Sequence, residues 1–442
     1  MLRRKIDNQL LDWKSDPHRK PIVIKGCRQC GKTFSVLQFA RSNYRHVVYL
    51  NFMQEKSLEF AFQDSLNVDN IIMNITAVLG NSVVFQPHET CLIFDEIQEC
   101  PEARTSLKFF HLDGRYDVIA TGSLLGVRGY GDRLGDKASI PVGYETIVDM
   151  YPLDFEEFLW ANGITVEIVE KLANYLHNVE PVSQVLHLRL RQLLLQYVIV
   201  GGMPEVVNTF IDTHDIGKVQ AVQRSIIGGY EEDMVKYALS SDKPKIRECF
   251  ESIPRQLSKE NKKFQYSIVK SGAKSSHFIS SLQWIEDAGI IRRCYNVEIP
   301  QLPLDGNAIQ GAFKVYMADT GLFVAMLESG TAASILQGDL KGYKGAIFEN
   351  LVADILGKMG RKLYYYRKDS GLEIDFVMRY KGQCTLVEVK SSTGDAKSVR
   401  TILNHPEKYN VKSAIKLGDY NIGCNQQVLT LPIYLAFLLR DY

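Results

Sequence analysis

Two groups of residues in this sequence have the types and spacing needed for chemistry. The first is the segment from Gly26 to Thr33, which matches the pattern G-x-x-x-x-G-K-[ST] at every position. In this pattern backbone N–H groups cradle a phosphate chain, the lysine bridges the β- and γ-phosphates, and the last hydroxyl holds Mg²⁺. The second group lies near the C-terminus, where Asp375 precedes Glu388 and Lys390. The sequence therefore predicts a nucleotide site and a separate acidic site.

The first group requires a strand before it and a helix after it. Residues 22–24 form a short apolar run, and residues 34–40 are typical of a helix whose N-terminus faces the phosphates. Gly26 and Gly31 are expected to permit a backbone with positive φ. A chance glycine turn before a helix is the alternative, which the strand and helix on either side disfavour. We assign ATP binding to ten residues: Gly26, Cys27, Arg28, Gln29, Cys30, Gly31, Lys32, Thr33, Phe34 and Ser123.

Two later strands supply the remaining groups for ATP hydrolysis. The apolar run at residues 91–94 ends in Asp95 and Glu96, for which we predict the roles of Mg²⁺ partner and general base. The strand at residues 116–123 ends in hydroxyls that could sense the γ-phosphate, with Ser123 favoured. Any strand can end in acidic residues, but a complete phosphate-binding loop precedes these. Strands that alternate with helical stretches predict a parallel sheet with the site at its carboxyl edge.

The second group resembles the PD-(D/E)xK motif of the restriction-endonuclease-like fold. Strands are expected at residues 371–378 and 386–390, and a helix that carries Glu349 precedes them. Alternation along the second strand puts Glu388 and Lys390 on one face. The resemblance implies that Asp375 and Glu388 bind Mg²⁺, that Lys390 lies beside the scissile phosphate, and that Glu349 completes the cluster. The alternatives are a chance hairpin with these residues and a nuclease-like fold that binds without cleavage.

Between the two groups the sequence indicates a helical stretch and then a winged helix. Residues 155–236 are mostly helical by their apolar spacing. Helices at 245–259, 267–270 and 275–289, followed by two strands, give the winged-helix order. Basic residues near these elements could contact DNA phosphates: Lys259, Lys262, Lys263, Lys270, Lys274, Arg292 and Arg293. Packing against protein alone is the other interpretation of this module.

Composition limits the class of protein. The 442 residues exceed what one core holds, so several domains are expected. With 52 Lys and Arg against 51 Asp and Glu, any nucleic-acid surface must be local. The eight cysteines show no disulfide spacing, and Cys27 and Cys30 are read as loop residues rather than a redox pair. We predict a cytoplasmic protein with no membrane span and no zinc site.

Five segments in order resemble a prokaryotic group of AAA-type ATPases, related to the archaeal ATPases, with a C-terminal domain of unknown function: KGCRQCGKT, IFDEIQE, TGSLLG, YPLDFEEFL and GGMPEVV. The resemblance implies a helical lid over residues 155–240. It also implies an arginine finger that reaches a neighbouring subunit of a homo-oligomer, with Arg128 and Arg133 as the two candidates. The alternative, that both are solvated loop arginines, stays open. The expected fold is α/β with four domains: a P-loop AAA-type core with a parallel sheet (1–154), the lid (155–240), a winged helix (241–325) and an α/β restriction-endonuclease-like domain (326–442).

The function expected from these parts is ATP hydrolysis coupled to Mg²⁺-dependent DNA cleavage, with ATP and Mg²⁺ as cofactors and DNA as partner. One rival is a nucleotide-switched DNA-binding or regulatory ATPase without nuclease activity, similar to the origin-recognition ATPases. Another is an ATP-dependent interaction switch that binds no nucleic acid.

Overall fold

The structure is a computed structural model that describes residues 1–63, 65–123, 143–237, 243–260, 262–338, 343–390 and 396–440. Both candidates for the arginine finger, Arg128 and Arg133, lie outside these residues. The chain divides into two compact units. The first comprises Met1–Pro152 with Lys236–Ser240, and the second comprises Leu153–Val235 with Ser241–Tyr442.

The first unit is built on a five-stranded parallel sheet. Its described strands are β1 (Ile22–Lys25), β2 (His46–Asn51), β3 (Thr90–Asp95), β4 (Asp117–Gly122) and β5 (Thr146–Asp149). They lie in the order β2-β3-β4-β1-β5, and every neighbouring pair is parallel. The parallel sheet expected for the ATPase core is thus confirmed. Since all strands run the same way, their carboxyl ends gather at one edge.

Helices cover this sheet. The described ones are α1 (Lys5–Ser15), α2 (Lys32–Asn43), α3 (Val68–Leu79) and α4 (Pro101–Asp113). The central strand β3 is buried along its whole length, as expected of a parallel strand covered on both faces. Aromatic rings from the strands and helices form a core of edge-to-face contacts, in which Phe94 meets Phe52, Phe62 and Phe110. This rigid core supports the strand ends where the loops begin.

The second unit begins with helices and continues into a large mixed sheet. Its first described helices are α5 (Phe155–Ala161), α6 (Val166–Asn178), α7 (Gln184–Val200), α8 (Pro204–Thr213) and α9 (Ile216–Tyr237). Three more follow: α10 (Lys243–Leu257), α11 (Tyr266–Val269) and α12 (Ser275–Asp287). The later ones are α13 (Thr320–Ala325), α14 (Thr331–Gln337), α15 (Lys344–Lys358), α16 (Lys397–Leu403) and α17 (Pro406–Tyr409).

Eight described strands form the mixed sheet of this unit. They are β6 (Ile291–Val297), β7 (Ala308–Met317), β8 (Leu363–Arg367), β9 (Glu373–Tyr380), β10 (Gln383–Val389), β11 (Ser413–Gly418), β12 (Gly423–Asn425) and β13 (Val428–Pro432). Their order is β12-β13-β11-β10-β9-β8-β6-β7. Strands β9 and β10 form an antiparallel pair, whereas β10 and β11 are parallel.

The elements expected of a winged helix occur in the expected order, α10, α11, α12, β6 and β7. Strand β6 pairs antiparallel with β7 and also parallel with β8. The two strands that we interpreted as a wing therefore belong to the same sheet as the strands that carry the acidic group. Edge hydrogen-bonding groups of β6 explain this continuity, because a strand pairs on both sides unless something covers one of them.

Candidate functional site

The phosphate-binding loop joins β1 to α2. Gly31 lies at the N-cap of α2 with φ 96°, a conformation that suits glycine. Gly26 is needed for another reason: a Cβ there would lie 2.0 Å from the carbonyl oxygen of Met150. The second positive φ in the loop, 62°, belongs to Gln29 rather than to Gly26. The expectation of positive φ thus holds for one glycine, and close packing explains the other.

Lys32 lies inside this loop. Its side chain is buried, and Nζ donates hydrogen bonds to the carbonyl oxygens of Gly26 (3.0 Å) and Cys27 (2.8 Å). These carbonyls hold the ammonium group at the place where the helix N-terminus meets the loop. Phe34, one residue beyond Thr33, is 61 % exposed.

Two cysteines line the same loop, and both are free thiols. Cys27 and Cys30 are buried. A hydrogen bond from Cys27, together with the charges of Lys32 and Arg4, outweighs burial and lowers the pKa of Cys30 to about 6. Cys30 Sγ lies 3.9 Å from Lys32 Nζ, whose positive charge favours the thiolate form of Cys30.

Asp95 ends β3 and gathers four donors. Its Oδ1 accepts from the Thr33 hydroxyl (3.0 Å) and from Thr121. Its Oδ2 accepts from the Tyr49 hydroxyl (2.6 Å) and from Asn51 Nδ2 (3.0 Å). All four of these donors are neutral groups, and together they fix the position of the carboxylate.

Glu96 directly follows Asp95 with a left-handed backbone, φ 53°. This turn separates the two neighbouring carboxylates, since an extended continuation would carry Glu96 along the strand direction. Its Oε2 accepts hydrogen bonds from Ser123 Oγ (3.3 Å) and from the Gln98 side chain. The structure therefore brings Glu96 together with Ser123 from the neighbouring strand β4. A positive φ in a residue other than glycine is often found at functional positions.

In the second unit, Asp375 of β9 and Glu388 of β10 lie on adjacent antiparallel strands. Asp375 Oδ2 accepts a hydrogen bond from the backbone N–H of Val389 (2.8 Å). Burial, then the negative charges of Glu349 and Glu388, raise the pKa of Asp375 to about 8. Burial also raises the pKa of Glu388, and Lys390 opposes this. Two carboxylates thus share a setting that disfavours their negative charge.

Lys390 and Glu388 form an ion pair of 2.6 Å between Nζ and Oε1. The other oxygen, Glu388 Oε2, is buried and has no hydrogen-bond partner in the part of the chain that the structure describes. Burial by itself would lower the pKa of Lys390, but the hydrogen bond that Nζ donates to Glu388 and the charge of that carboxylate outweigh it and raise the pKa, so the ammonium is charged at neutral pH. A positive charge and a free acceptor atom therefore lie side by side.

Glu349 approaches from α15, but its carboxylate is already surrounded by donors. It contacts Lys314 Nζ at 2.8 Å, and it also contacts Lys262 and the Tyr316 hydroxyl. Burial by itself would raise the pKa of Glu349, but the charges of Lys314 and Lys262 outweigh it and hold the pKa at about 2. Lys314 also pairs with Glu373 at 2.8 Å. Glu349 is thus near Asp375 yet neutralised by lysines.

The donor sets can be compared with the needs of Mg²⁺. Mg²⁺ is often held by one or two carboxylates, with water and substrate phosphate oxygens completing the shell. Thr33 with Asp95 fits this description, and so does Asp375 with Glu388, whose unpartnered oxygen and raised pKa values a cation would relieve. Among the described residues no group of three or more His, Cys, Asp or Glu could hold a metal ion. Each site therefore offers at most two protein carboxylates.

Several residues of these sites were missed by sequence reasoning. Around the nucleotide loop they are Tyr49, Asn51 and Gln98, and around the acidic cluster they are Lys314, Tyr316 and Glu373. The sequence held a signal for Asn51, because it is a polar residue at the end of an apolar strand. In the structure its register partner on β3 is Asp95. Lys314 and Tyr316 are two residues apart on β7, so both side chains point to the same face of the sheet. They give this buried part of the strand a polar face.

The basic residues proposed for DNA contact are partly engaged within the unit. Arg293 is bonded to Glu286 (2.6 Å from Nε) and to Gln283, and its guanidinium lies 5.6 Å from the Phe313 ring. Lys270 pairs with Glu248 at 3.3 Å, and Lys262 contacts Glu349 as described above. Arg293 and Lys262 thus already form contacts within the unit. The ion pair of Lys270 is exposed, and exposed pairs contribute little free energy, so Lys270 can leave its partner for another anion.

Comparison with known proteins adds three family matches. The model of an AAA domain matches residues 18–159. Two models described as domains of unknown function, DUF8612 and DUF4143, match residues 191–333 and 344–435. No curated protein matches the sequence.

Solved structures with a related arrangement include a Walker-type ATPase of Pyrococcus abyssi. It is 14% identical, with 76% of this chain and 96% of that chain covered and a TM-score of 0.42. The ORC1 protein of Aeropyrum pernix, solved in complex with DNA, is 11% identical, with 77% and 93% covered and a TM-score of 0.29. In the described part of the chain, no helix is both long and apolar enough to cross a membrane.

Proposed function

We propose a two-site function that starts from one premise: the chain is a P-loop AAA-type ATPase, with its AAA domain at residues 18–159. To this activity we add a second one, Mg²⁺-dependent cleavage of DNA by the acidic cluster of the second unit. We also retain the lid, the winged helix and the restriction-endonuclease-like domain as the proposed division of that unit.

For ATP hydrolysis we assign a role to each polar group of the loop. Lys32 Nζ would exchange its two carbonyl partners for oxygens of the β- and γ-phosphates. Thr33 and Asp95 would hold Mg²⁺, which supplies charge neutralisation on the phosphates when bound. Glu96 would accept the proton of the attacking water, and its hydrogen bond with Ser123 supports this placement, since it puts a γ-phosphate sensor beside the base.

For the second site the observation that carries the proposal is the half-buried Asp375 and the buried Glu388 beside Lys390. A cation bound between the two carboxylates would lower the raised pKa of Asp375, about 8, and would give the unpartnered Glu388 oxygen a partner. Mg²⁺ bound there would supply this positive charge and polarise the scissile phosphate. Lys390 would neutralise the charge that develops on the phosphate oxygens, because its ammonium is charged and only 2.6 Å from Glu388.

The contacts of Glu349 support a narrower role than the sequence suggested. Because Lys314 and Lys262 neutralise it, we assign Glu349 to the placement of these lysines rather than to the metal. The same contacts favour a second candidate function, a nucleotide-switched DNA-binding or regulatory ATPase without cleavage. In that case the cluster would be a charge-balanced structural network, and lysines would replace the cation.

The experiment that separates these functions is cleavage of plasmid DNA by the purified protein with Mg²⁺, with and without ATP. Asp375→Ala, Glu388→Ala and Lys390→Ala should each abolish cleavage, since the first two open the metal shell and the third leaves developing charge unneutralised. ATP turnover should continue in all three variants because the two sites lie in different units. A matched control is Asp369→Ala, an exposed carboxylate just before β9.

Two results would contradict cleavage. One is a wild-type protein that leaves duplex, branched and single-stranded DNA intact at every Mg²⁺ concentration while it hydrolyses ATP. The other is cleavage that survives Asp375→Ala and Glu388→Ala together, which would point to a contaminating nuclease. If the protein shifts DNA in an ATP-sensitive manner without cutting it, the regulatory function is the correct one.

A further inference from the structure

A cavity of about 140 Å³ in the second unit lies beside the acidic cluster. Its inner wall is apolar, with Leu194 of α7, Ile335 of α14 and Phe348 of α15. Its polar lining includes three cationic side chains, Arg191, Lys344 and Lys390, together with His187, Asp419 and Tyr434. An apolar interior with a few convergent polar groups is the usual form of a small-molecule site.

Among the residues that the structure describes, three basic side chains and one carboxylate, Asp419, line the cavity. Arg191 is balanced by Asp419 at 2.5 Å, an ion pair that is about half exposed. Lys390 is balanced by Glu388. Lys344, the first residue of α15, forms no ion pair with any other residue that the structure describes. An anionic group at the rim would therefore find an uncompensated ammonium at Lys344.

The far side of the cavity is an aromatic corner. His187 Nδ1 is 2.7 Å from the Tyr434 hydroxyl, and the two rings lie 5.5 Å apart at 61°. Burial, together with the charge of Arg191, lowers the pKa of His187, so the ring is neutral at pH 7. The half-buried His187 ring is the kind of surface against which a nucleic-acid base stacks, whereas the Tyr434 ring is 1% exposed and holds His187 in place by the hydrogen bond.

The volume limits the ligand to one small ring. A protein cavity of about 150 Å³ accommodates benzene, so this cavity of about 140 Å³ suits a six-membered ring better than two fused rings. A flat pyrimidine base on the aromatic corner would leave its phosphate at the rim, where Lys344 and Lys390 lie. An acidic peptide side chain could bind the lysines but has no ring to pack against the aromatic side chains.

Lys390 connects the cavity to the acidic cluster, since it lines the first and pairs with Glu388 in the second. We propose that this cavity binds a pyrimidine nucleotide of a nucleic-acid strand, the one next to the scissile phosphate, with its base turned inward and its phosphate on Lys344. This inference rests on the proposed cleavage function, for which it names the substrate: a strand whose base is unpaired or can be extruded.

The test measures binding separately from cleavage. Full-length Asp375→Asn protein is titrated with fluorescently labelled single-stranded oligonucleotides of twelve thymidines or twelve deoxyadenosines, and in parallel with free thymidine monophosphate. Lys344→Glu removes the rim charge and Leu195→Trp fills the mouth of the cavity. Lys381→Glu is the matched control, because it reverses an exposed lysine in the turn between β9 and β10, outside the cavity. Thermal melting checks that each variant is folded.

The expected result is tighter binding of the thymidine strand than of the deoxyadenosine strand. Lys344→Glu should weaken it about tenfold or more, as befits the loss of a charged phosphate contact, and Lys381→Glu should change it by much less. Leu195→Trp should abolish the thymidine preference. Equal affinities for the two strands, or equal effects of Lys344→Glu and Lys381→Glu, would overturn the inference. So would binding of free thymidine monophosphate in the cavity with no binding of the strand.

The outcomes also distinguish this inference from the cleavage function. If the wild-type protein does not cut DNA but Lys344→Glu still weakens binding of the thymidine strand, cleavage fails and the cavity keeps its ligand. If the wild-type protein cuts DNA and Lys344→Glu changes neither binding nor the choice of bond, the cavity assignment fails and cleavage stands.

Discussion

In the proposed mechanism of ATP hydrolysis, Glu96 is the residue that accepts the proton of the attacking water. Its backbone has a positive φ and leaves the strand direction. Its carboxylate accepts a hydrogen bond from Ser123 and none from the four donors that bind Asp95 in the described part of the chain. Two neighbouring carboxylates thereby receive different tasks: Asp95 is held by four neutral donors, and Glu96 is directed toward the next strand end. A base must reach the proton it abstracts, so this separation has a direct functional meaning.

We predict that Glu96→Gln binds ATP normally and hydrolyses it about 10²–10⁴-fold more slowly, the loss typical of a removed general base. The amide keeps the size of the side chain and can still bond with Ser123, so binding should persist. Single-turnover hydrolysis and equilibrium nucleotide binding measure the two effects. Glu99→Gln is the control, because Glu99 lies three residues on and pairs with Lys56 instead. Turnover of Glu96→Gln at the wild-type rate would remove the assignment.

At the scale of helices and strands, the pairing of distant strands decides how much of the fold and of the two sites could be predicted from the sequence. Some patterns lie within a short stretch of sequence and could be recognised there. They are the phosphate-binding loop, the strand followed by Asp95 and Glu96, and the neighbouring strands that carry Asp375 and Glu388. Lys314 was not, because it reaches Glu349 and Glu373 only after β7, α15 and β9 have come together. Pairings between distant strands, such as β6 with β8, leave no local pattern.

Lys314 also gives a prediction for this sheet. Its ammonium is fully buried between Glu349 and Glu373. Burial alone would lower the pKa of Lys314, but the charges of the two carboxylates outweigh burial and raise this pKa. Lys314→Met should therefore leave buried negative charge uncompensated and cost about 3–5 kcal/mol of unfolding free energy at pH 7. Urea unfolding measures this. The control Lys362→Met breaks an exposed pair with Asp305 and should cost less than about 1 kcal/mol.

The same variant should alter the dependence of stability on pH. In the wild type, Glu349 has a folded pKa of about 2, below its ordinary value of 4.5, so its contribution is present above pH 4.5 and is lost as the pH falls toward 2. Without Lys314 the pKa of Glu349 should rise, so acidification should reduce the deficit of the variant. Lys314→Met/Glu349→Gln should regain part of the loss at pH 7. A deficit that stays constant between pH 7 and pH 4 would show that packing, not charge, makes Lys314 important.

At the scale of the whole molecule, the two sites belong to separate compact units. The nucleotide loop and its carboxylates lie in the unit built on the parallel sheet. The acidic cluster, the cavity and the lysines around Glu349 lie in the unit built on the mixed sheet. Each unit has its own core, so each can have its own stability and its own response to a ligand.

We therefore predict that ATP with Mg²⁺ stabilises one unit selectively. A ligand that binds only the folded form adds about 2.7 kcal/mol at one hundred times its Kd, and the P-loop unit alone carries the loop that binds it. A calorimetric scan should show two transitions, and a non-hydrolysable ATP analogue with Mg²⁺ should raise the Tm of only one. Lys32→Ala should abolish that rise, because it removes the ammonium that contacts the phosphates, whereas Asp375→Asn should leave it intact. An equal rise of both transitions would mean that nucleotide binding in the first unit is transmitted to the second, and the two sites would then be coupled thermodynamically rather than independent.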